Sequence, residues 1–434
     1  MPTTAPSPSV EPPAAESKLD PYRLSDDAAQ TEGRNFLVIA LFQIIMRTGW
    51  IFKTESIIMP AVLDTITGGG PLGGLLRGCL PVLNRLGHSI PPMLFSQRLK
   101  MMPHKRQATV VCALGMSLMF LLLSLMFWIA GDRRHWWMPI VFLVCYTMFF
   151  AFTGINNLSL GTLQGKLIHA TRRGRLLLTA NVVGAITAII AVATLMPFWL
   201  HDNVRRFDLI FGFTSICFAV AAISMLLTSE PADNHRERVK SPRRLMRSAW
   251  RTFRDDANFR RLAIVAMAFS TSLALFPHYQ ALGRSDRLGL PLDNLMLWVI
   301  VQNAGTAVFS LICGPIADRF GNRLVLRMVL LAIATMPAAA IGLSYWNAWG
   351  PALYPVVFVF LGLTPVGFKT ISNYTLEISH AGDHPKYLST LGLCFAAPLM
   401  ASPALGWGVE SVGFEPGFFG IAAMVFRGHP PEHN

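Results

Sequence analysis

Arg47, Lys53, Arg77 and Arg85 stand inside long apolar runs, with Glu55 the single acid well within the same stretch. A charge at the centre of a membrane helix costs about 3 kcal/mol on insertion scales, so such groups face a bundle interior or a wet cavity. Arg47 lies about 12 residues into its run, roughly 18 Å at 1.5 Å per residue, near a bilayer midplane. Arg85 lies about 14 residues into the next run, at similar depth. Arg77, Asn84 and His88 follow the helical period and share one stripe. The pattern is one of solute recognition. Arg47 and Arg85, with Asn84 and His88 beside them, are candidate contacts for an anionic or polyhydroxylated solute. Pairing of Arg47 with Glu55 is the competing arrangement. A carboxylate in a poorly hydrated site can load and release a proton, which makes Glu55 the candidate for proton coupling.

In the second half of the chain Lys369, Asn373 and Glu377 recur every four residues and form a polar stripe. Glu377 is expected to pair with Arg319 or Arg323 in a closed gate. Gln302, Asn303 and His278 are uncharged candidates for lining a cavity. No convergent set of His, Asp and Glu suggests a membrane-embedded enzyme, and no GK[ST] phosphate loop suggests ATP hydrolysis. The six cysteines are scattered singly, without CxxC or Cys/His spacing, so neither a metal site nor a cofactor is expected and no residue is assigned to catalysis.

Helices must hold these groups. Of the 434 residues 53% are hydrophobic and only 14% charged, and the mean hydropathy is +0.45, too few charges to cover a soluble protein of this size. The apolar runs are near 20 residues, the length of a transmembrane helix. They predict an all-α membrane protein of about 12 spans in two six-helix bundles. The net charge of +13 would suit a nucleic-acid partner, but the basic residues cluster between apolar runs, as in cytoplasmic loops. That bias places both termini in the cytoplasm and argues against nucleic acid.

The predicted organisation is a disordered cytoplasmic tail over 1–34, a bundle over 35–229, a basic linker over 230–259, a second bundle over 260–427 and a short tail over 428–434. Within the linker, apolar residues recur at helical spacing among arginines, which predicts an amphipathic helix lying on anionic lipid. The last span is short and ends at Arg427, reading as a shortened final helix. Ile155–Leu160 and Ile371–Leu376 share a weak repeat, INNLSL against ISNYTL.

Between two apolar runs, 291–313 and 324–346, stands GPIADRFGNR, from Gly314 to Arg323. It resembles the signature loop of the major facilitator superfamily: Gly314, Asp318, Arg319, Gly321 and Arg323 match its glycine, aspartate-arginine, glycine and basic positions. The resemblance covers roughly 35–427. It implies a multi-pass, monomeric plasma-membrane (inner-membrane) transporter that moves a small solute by alternating access, driven by protons or sodium. It also implies that Asp318 and Arg319 help latch the cytoplasmic side. The first-half counterpart, SQRLKMMPHKR, is degenerate, with Gln97 for the aspartate and Pro103 for the glycine. That departure leaves open a non-transporting sensor or scaffold, and a multidrug-type exporter is a further alternative in which Arg47 is a structural residue.

Overall fold

The computed structural model describes residues 26–131, 133–201, 204–232, 242–346, 348–379 and 383–427. The expected tails at 1–25 and 428–434, and linker residues 233–241, lie outside the described residues. The chain runs α1 (Asp26–Ile51), α2 (Ile58–Thr67), α3 (Gly70–Met101), α4 (Lys105–Ala130), α5 (Met138–Leu167), α6 (Ala170–Trp199) and α7 (Phe207–Met225). A minimal hairpin, β1 (Leu200–His201) against β2 (Val204–Arg205), joins α6 to α7. After α8 (Pro242–Asp255) come α9 (Ala257–Ser272), α10 (Phe276–Arg284), α11 (Asn294–Phe320), α12 (Asn322–Tyr345), α13 (Gly350–Leu353), α14 (Pro355–Leu361) and α15 (Leu363–Ile378). The chain closes with α16 (His384–Ala396), α17 (Ser402–Val412) and α18 (Phe414–Arg427).

Among the described residues nine stretches are long and apolar enough to cross a membrane: 105–130, 138–167, 171–199, 207–225, 257–284, 294–320, 322–345, 350–378 and 386–412. The α1–α2 pair, α3 and α18 pack into the same bundle. The pair and α3 carry the charges that lower their hydropathy, and α18 is only 14 residues long.

Polar contacts, invisible to hydropathy, extend helices beyond the apolar runs. Residues 26–34 form the first turns of α1 rather than a tail. Glu32 accepts the His169 backbone N–H at 3.0 Å and the Arg172 guanidinium at 3.0 Å. Asn35 exchanges two 2.9 Å bonds with the backbone of Ser229. The stretch expected as a loop at 314–323 is also mostly helix: α11 continues to Phe320 with Pro315 inside it. Only Gly321, at φ 84°, makes the turn, a conformation that suits glycine. A Cβ built on Gly314 would meet nothing within 4 Å, so no close approach requires a glycine there.

Proline explains where spans break. Its ring clashes with the carbonyl four residues earlier. Pro60, Pro277, Pro365 and Pro403 lie four residues after Ser56, Leu273, Leu361 and Leu399, and the helix is interrupted at or beside each of these. Thus the first span of each half is split, at 52–57 and at 273–275.

The faces of the bundle differ. The α7–α8 connection and Gly321 lie on one, here the linker face. There Glu230 is a clasp: its carboxylate accepts the backbone N–H groups of Lys105 (2.9 Å) and Arg106 (2.8 Å) and the Lys166 ammonium (3.1 Å). Its side chain is fully buried. Hydrogen bonds to a charged group contribute about 1.5–3 kcal/mol each, so Glu230→Ala is expected to destabilise the protein by about 3 kcal/mol. The readout is the apparent melting temperature in detergent, and an unchanged value would remove the clasp from the fold. On the same face α8 packs against α9 and α16. It buries Ala249 and leaves Trp250, Arg247, Arg251 and Arg254 exposed.

Candidate functional site

A cavity of about 970 Å³ lies between the two halves. Both split spans reach it, α1–α2 through Arg47, Thr54, Glu55 and Ser56, and α10 through Phe276 and Pro277. Interrupted helices at matching places in two halves are where transport folds build their sites, because the freed backbone and the positive end of the second half-helix face the cavity.

Three cations line the cavity, Arg47, Arg85 and Lys369, against one carboxylate, Glu55. Arg47 Nη1 donates to Asn181 Oδ1 at 3.1 Å, so the sequence alternative, Arg47 with Glu55, is not formed. The Arg85 guanidinium stacks 3.8 Å above the Phe368 ring of the other half. Glu55 takes Lys53 Nζ at 2.9 Å on one oxygen and Asn84 Nδ2 on the other. Lys53 is completely buried and sits 3.3 Å from the centre of the Trp50 ring, with Phe149 and Phe150 at 4.6 Å. Cation–π attraction and the ion pair together offset its desolvation.

Seven amide side chains also line the space: Gln43, Asn84, Asn156, Asn157, Asn181, Gln302 and Asn303. Asn157 and Ser372 come from the two repeat segments, so the weak internal repeat marks equivalent walls. Gln302 also accepts the Ser56 hydroxyl at 2.7 Å, tying the halves together.

Of the residues expected to line a cavity, Arg47, Arg85, Asn84, Glu55, Gln302 and Asn303 do so. His88 does not; its Nδ1 lies 3.1 Å from Asn84 Oδ1, behind the wall and against Phe150. His278 does not either. It is wholly buried beyond the end of the cavity, one helical residue past Pro277, which does face it. The stripe of Arg77, Asn84 and His88 therefore divides between two sites.

Toward the linker face the cavity is open: Asn157, Pro365 and Lys369 line it and are exposed. Asp318, Arg319 and Arg323 are exposed and make no side-chain bond among the described residues. Glu377 accepts Asn322 Nδ2 at 2.5 Å instead of pairing with Arg319 or Arg323. The turn at Gly321 places Asn322, rather than either arginine, against α15. Among the described residues no ion pair joins the halves at this loop.

The opposite end is sealed. There α2 packs on α10, and α3 lies along α17. Gly74 and Gly78 face Ser402 and Gly406, and a Cβ on Gly78 would come within 2.7 Å of Pro403 Cα. Small residues four apart on both helices let the backbones touch. Across this seam Arg77 pairs with Glu410 and Gln280 Nε2 donates to Asp64 at 2.8 Å, while Arg77 also pairs with Asp64 of its own half at 3.0 Å. Sequence reasoning missed Asp64, Glu410 and Gln280, which lie near span ends where polar residues are unremarkable. The paired small residues at four-residue spacing were the available signal.

Residues 89–403 match the family profile described as Major Facilitator Superfamily. No curated protein matches the chain. Several solved structures share its fold. A POT family transporter in complex with 5-aminolevulinic acid aligns at TM-score 0.71 and 12% identity, over 91% of this chain and 94% of its own. A mutant of the nucleoside transporter NupG gives 0.69 at 12%, over 91% and 98%. A D-xylose–proton symporter gives 0.67 at 14%, over 92% and 97%.

Proposed function

Because the chain belongs to the major facilitator superfamily, we propose that it is a secondary transporter of a small, hydroxyl-bearing anion, moved by alternating access through the central cavity. One observation carries the substrate class: three cations and seven amides line a space whose single carboxylate is already paired with a buried lysine. The cations select negative charge, and the amides donate to and accept from hydroxyl groups. On this reading the conformation described is inward-facing. The linker face is cytoplasmic, as its arginines favour, and both termini lie there, in the plasma (inner) membrane of the cell. Basic α8 then rests on anionic lipid, with Trp250 at the interface. The halves rock about the Ser56–Gln302 and Arg85–Phe368 contacts, which join them across the cavity. The transporter works as a monomer, driven by an ion gradient.

The test is a thermal-shift screen of the purified protein against sugars, organic anions, sugar acids, nucleosides, amino acids and cationic drugs. A ligand bound only by the folded state raises the apparent melting temperature. A hydroxylated anion is expected to stabilise the wild type. Arg47→Ala should weaken its affinity by roughly tenfold to a hundredfold, the loss of one charge-assisted contact of about 1.5–3 kcal/mol. Stabilisation by cationic drugs alone, indifferent to the substitution, would instead favour a multidrug exporter.

A further inference from the structure

The seal opposite the linker face holds more polar chemistry than closure requires. Arg77, from α3, bridges Asp64 of α2 and Glu410 of α17, so one guanidinium serves two carboxylates from different halves. His278 of α10 is completely buried beside them, and neither of its ring nitrogens has a partner among the described residues. Asp64 Oδ1, Arg77 Nε and Gln280 Oε1 are likewise buried without partners. An unpaired buried polar atom costs about 1–3 kcal/mol, and five stand together here. The other charges facing the cluster are Arg284, at the end of α10, and more distantly Arg205 of β2. Glu410 retains 22% of its side-chain exposure, so water on that face reaches it while the seam is shut.

We infer that Asp64, Arg77, Glu410 and His278 form the proton-binding site that couples protonation to opening of this seal. The inference rests on the transporter reading above and supplies its driving ion. A proton from the aqueous phase adds to a Glu410 oxygen or to a free His278 nitrogen, and nothing leaves. On Glu410 it removes the charge that attracts Arg77 across the seam. On His278 it places an imidazolium beside the same guanidinium. The first weakens the hold between α3 and α17, and the second the hold between α3 and α10; both join the two halves. Opening also breaks the Gln280–Asp64 bond and bares the site to the medium on that side. Glu55, the acid expected to carry the proton, has both oxygens engaged by Lys53 and Asn84 within one half. Its contacts are therefore indifferent to separation of the halves.

The experiment uses the full chain in lipid nanodiscs, without solute. Nitroxide labels are attached through Trp136→Cys and Trp349→Cys, at exposed ends of the two halves on the sealed face, with the native cysteines replaced. Distances are read by double electron–electron resonance. On acidification from about pH 8 to about pH 5, the open fraction is expected to rise by about tenfold for each unit by which opening raises the site's proton affinity. Glu410→Gln should hold the open fraction high and nearly constant across that range. His278→Gln, which leaves the ion pairs intact, should move the midpoint of opening to lower pH. A wild type whose distances ignore pH overturns the inference, as does opening driven by sodium at fixed pH, or a pH response unchanged in both variants. Acid-driven opening in a protein that binds and moves no solute would sink the transport reading and leave the proton site standing.

Discussion

Gly74→Leu is expected to leave the protein folded and to abolish transport. The α3–α17 seam closes because Gly74 and Gly406 bring backbone against backbone. A Cβ at Gly74 would collide with the Gly406 carbonyl oxygen and meet the Glu410 side chain. A flexible neighbour could swing aside, but a carbonyl within a helix cannot move without moving α17. Overpacking of this kind costs about 1–3 kcal/mol, and near its upper end it lowers the sealed population about a hundredfold. Each half keeps its own packing, so folding survives and only the cycle stops. The measurements are solute uptake into proteoliposomes and the label distance across the sealed face. Loss of uptake with a longer distance is expected. Wild-type uptake by the leucine variant would mean that the cycle does not pass through this seam.

Lys53→Met is expected to produce a large loss of stability. It keeps the apolar stem but removes the ammonium that Glu55 and three aromatic rings surround. Removing one partner of a buried ion pair costs about 3–5 kcal/mol, because the other charge is left uncompensated. Glu55 keeps 30% exposure on the cavity side and can recover some hydration, so the lower end of about 3 kcal/mol applies. The double variant Lys53→Met with Glu55→Gln should regain most of that loss, since the amide carries no charge and still bonds Asn84. Melting temperatures of the three variants in one detergent check this. A double variant no more stable than Lys53→Met would show that the ammonium acts through aromatic contact alone.

The sequence by itself determined the class of protein and much of the cavity wall. A charge near the middle of an apolar helix has few tolerable places, so Arg47 and Arg85 were bound to face the interior, and both line the cavity. Proline position alone did not tell which spans split, because Pro81, Pro197, Pro315 and Pro337 sit inside unbroken helices. Tertiary structure alone decided which charges meet. Arg77 and Asn84 lie on one helical stripe, yet one reaches Glu410 in the other half and the other reaches Glu55 in its own. The second partner is 29 residues away and the first 333. A helix tells its residues which face they share, but only the packing of other helices sets what stands opposite. The same holds for His278, which the sequence offered to a cavity and the fold placed in a seal. It holds for the signature stretch too, where Asp318, Arg319 and Arg323 stand exposed and make no side-chain bond among the described residues. Pairing across an interface depends on where the helices of both halves come to stand, and the helical period of one segment carries no record of that.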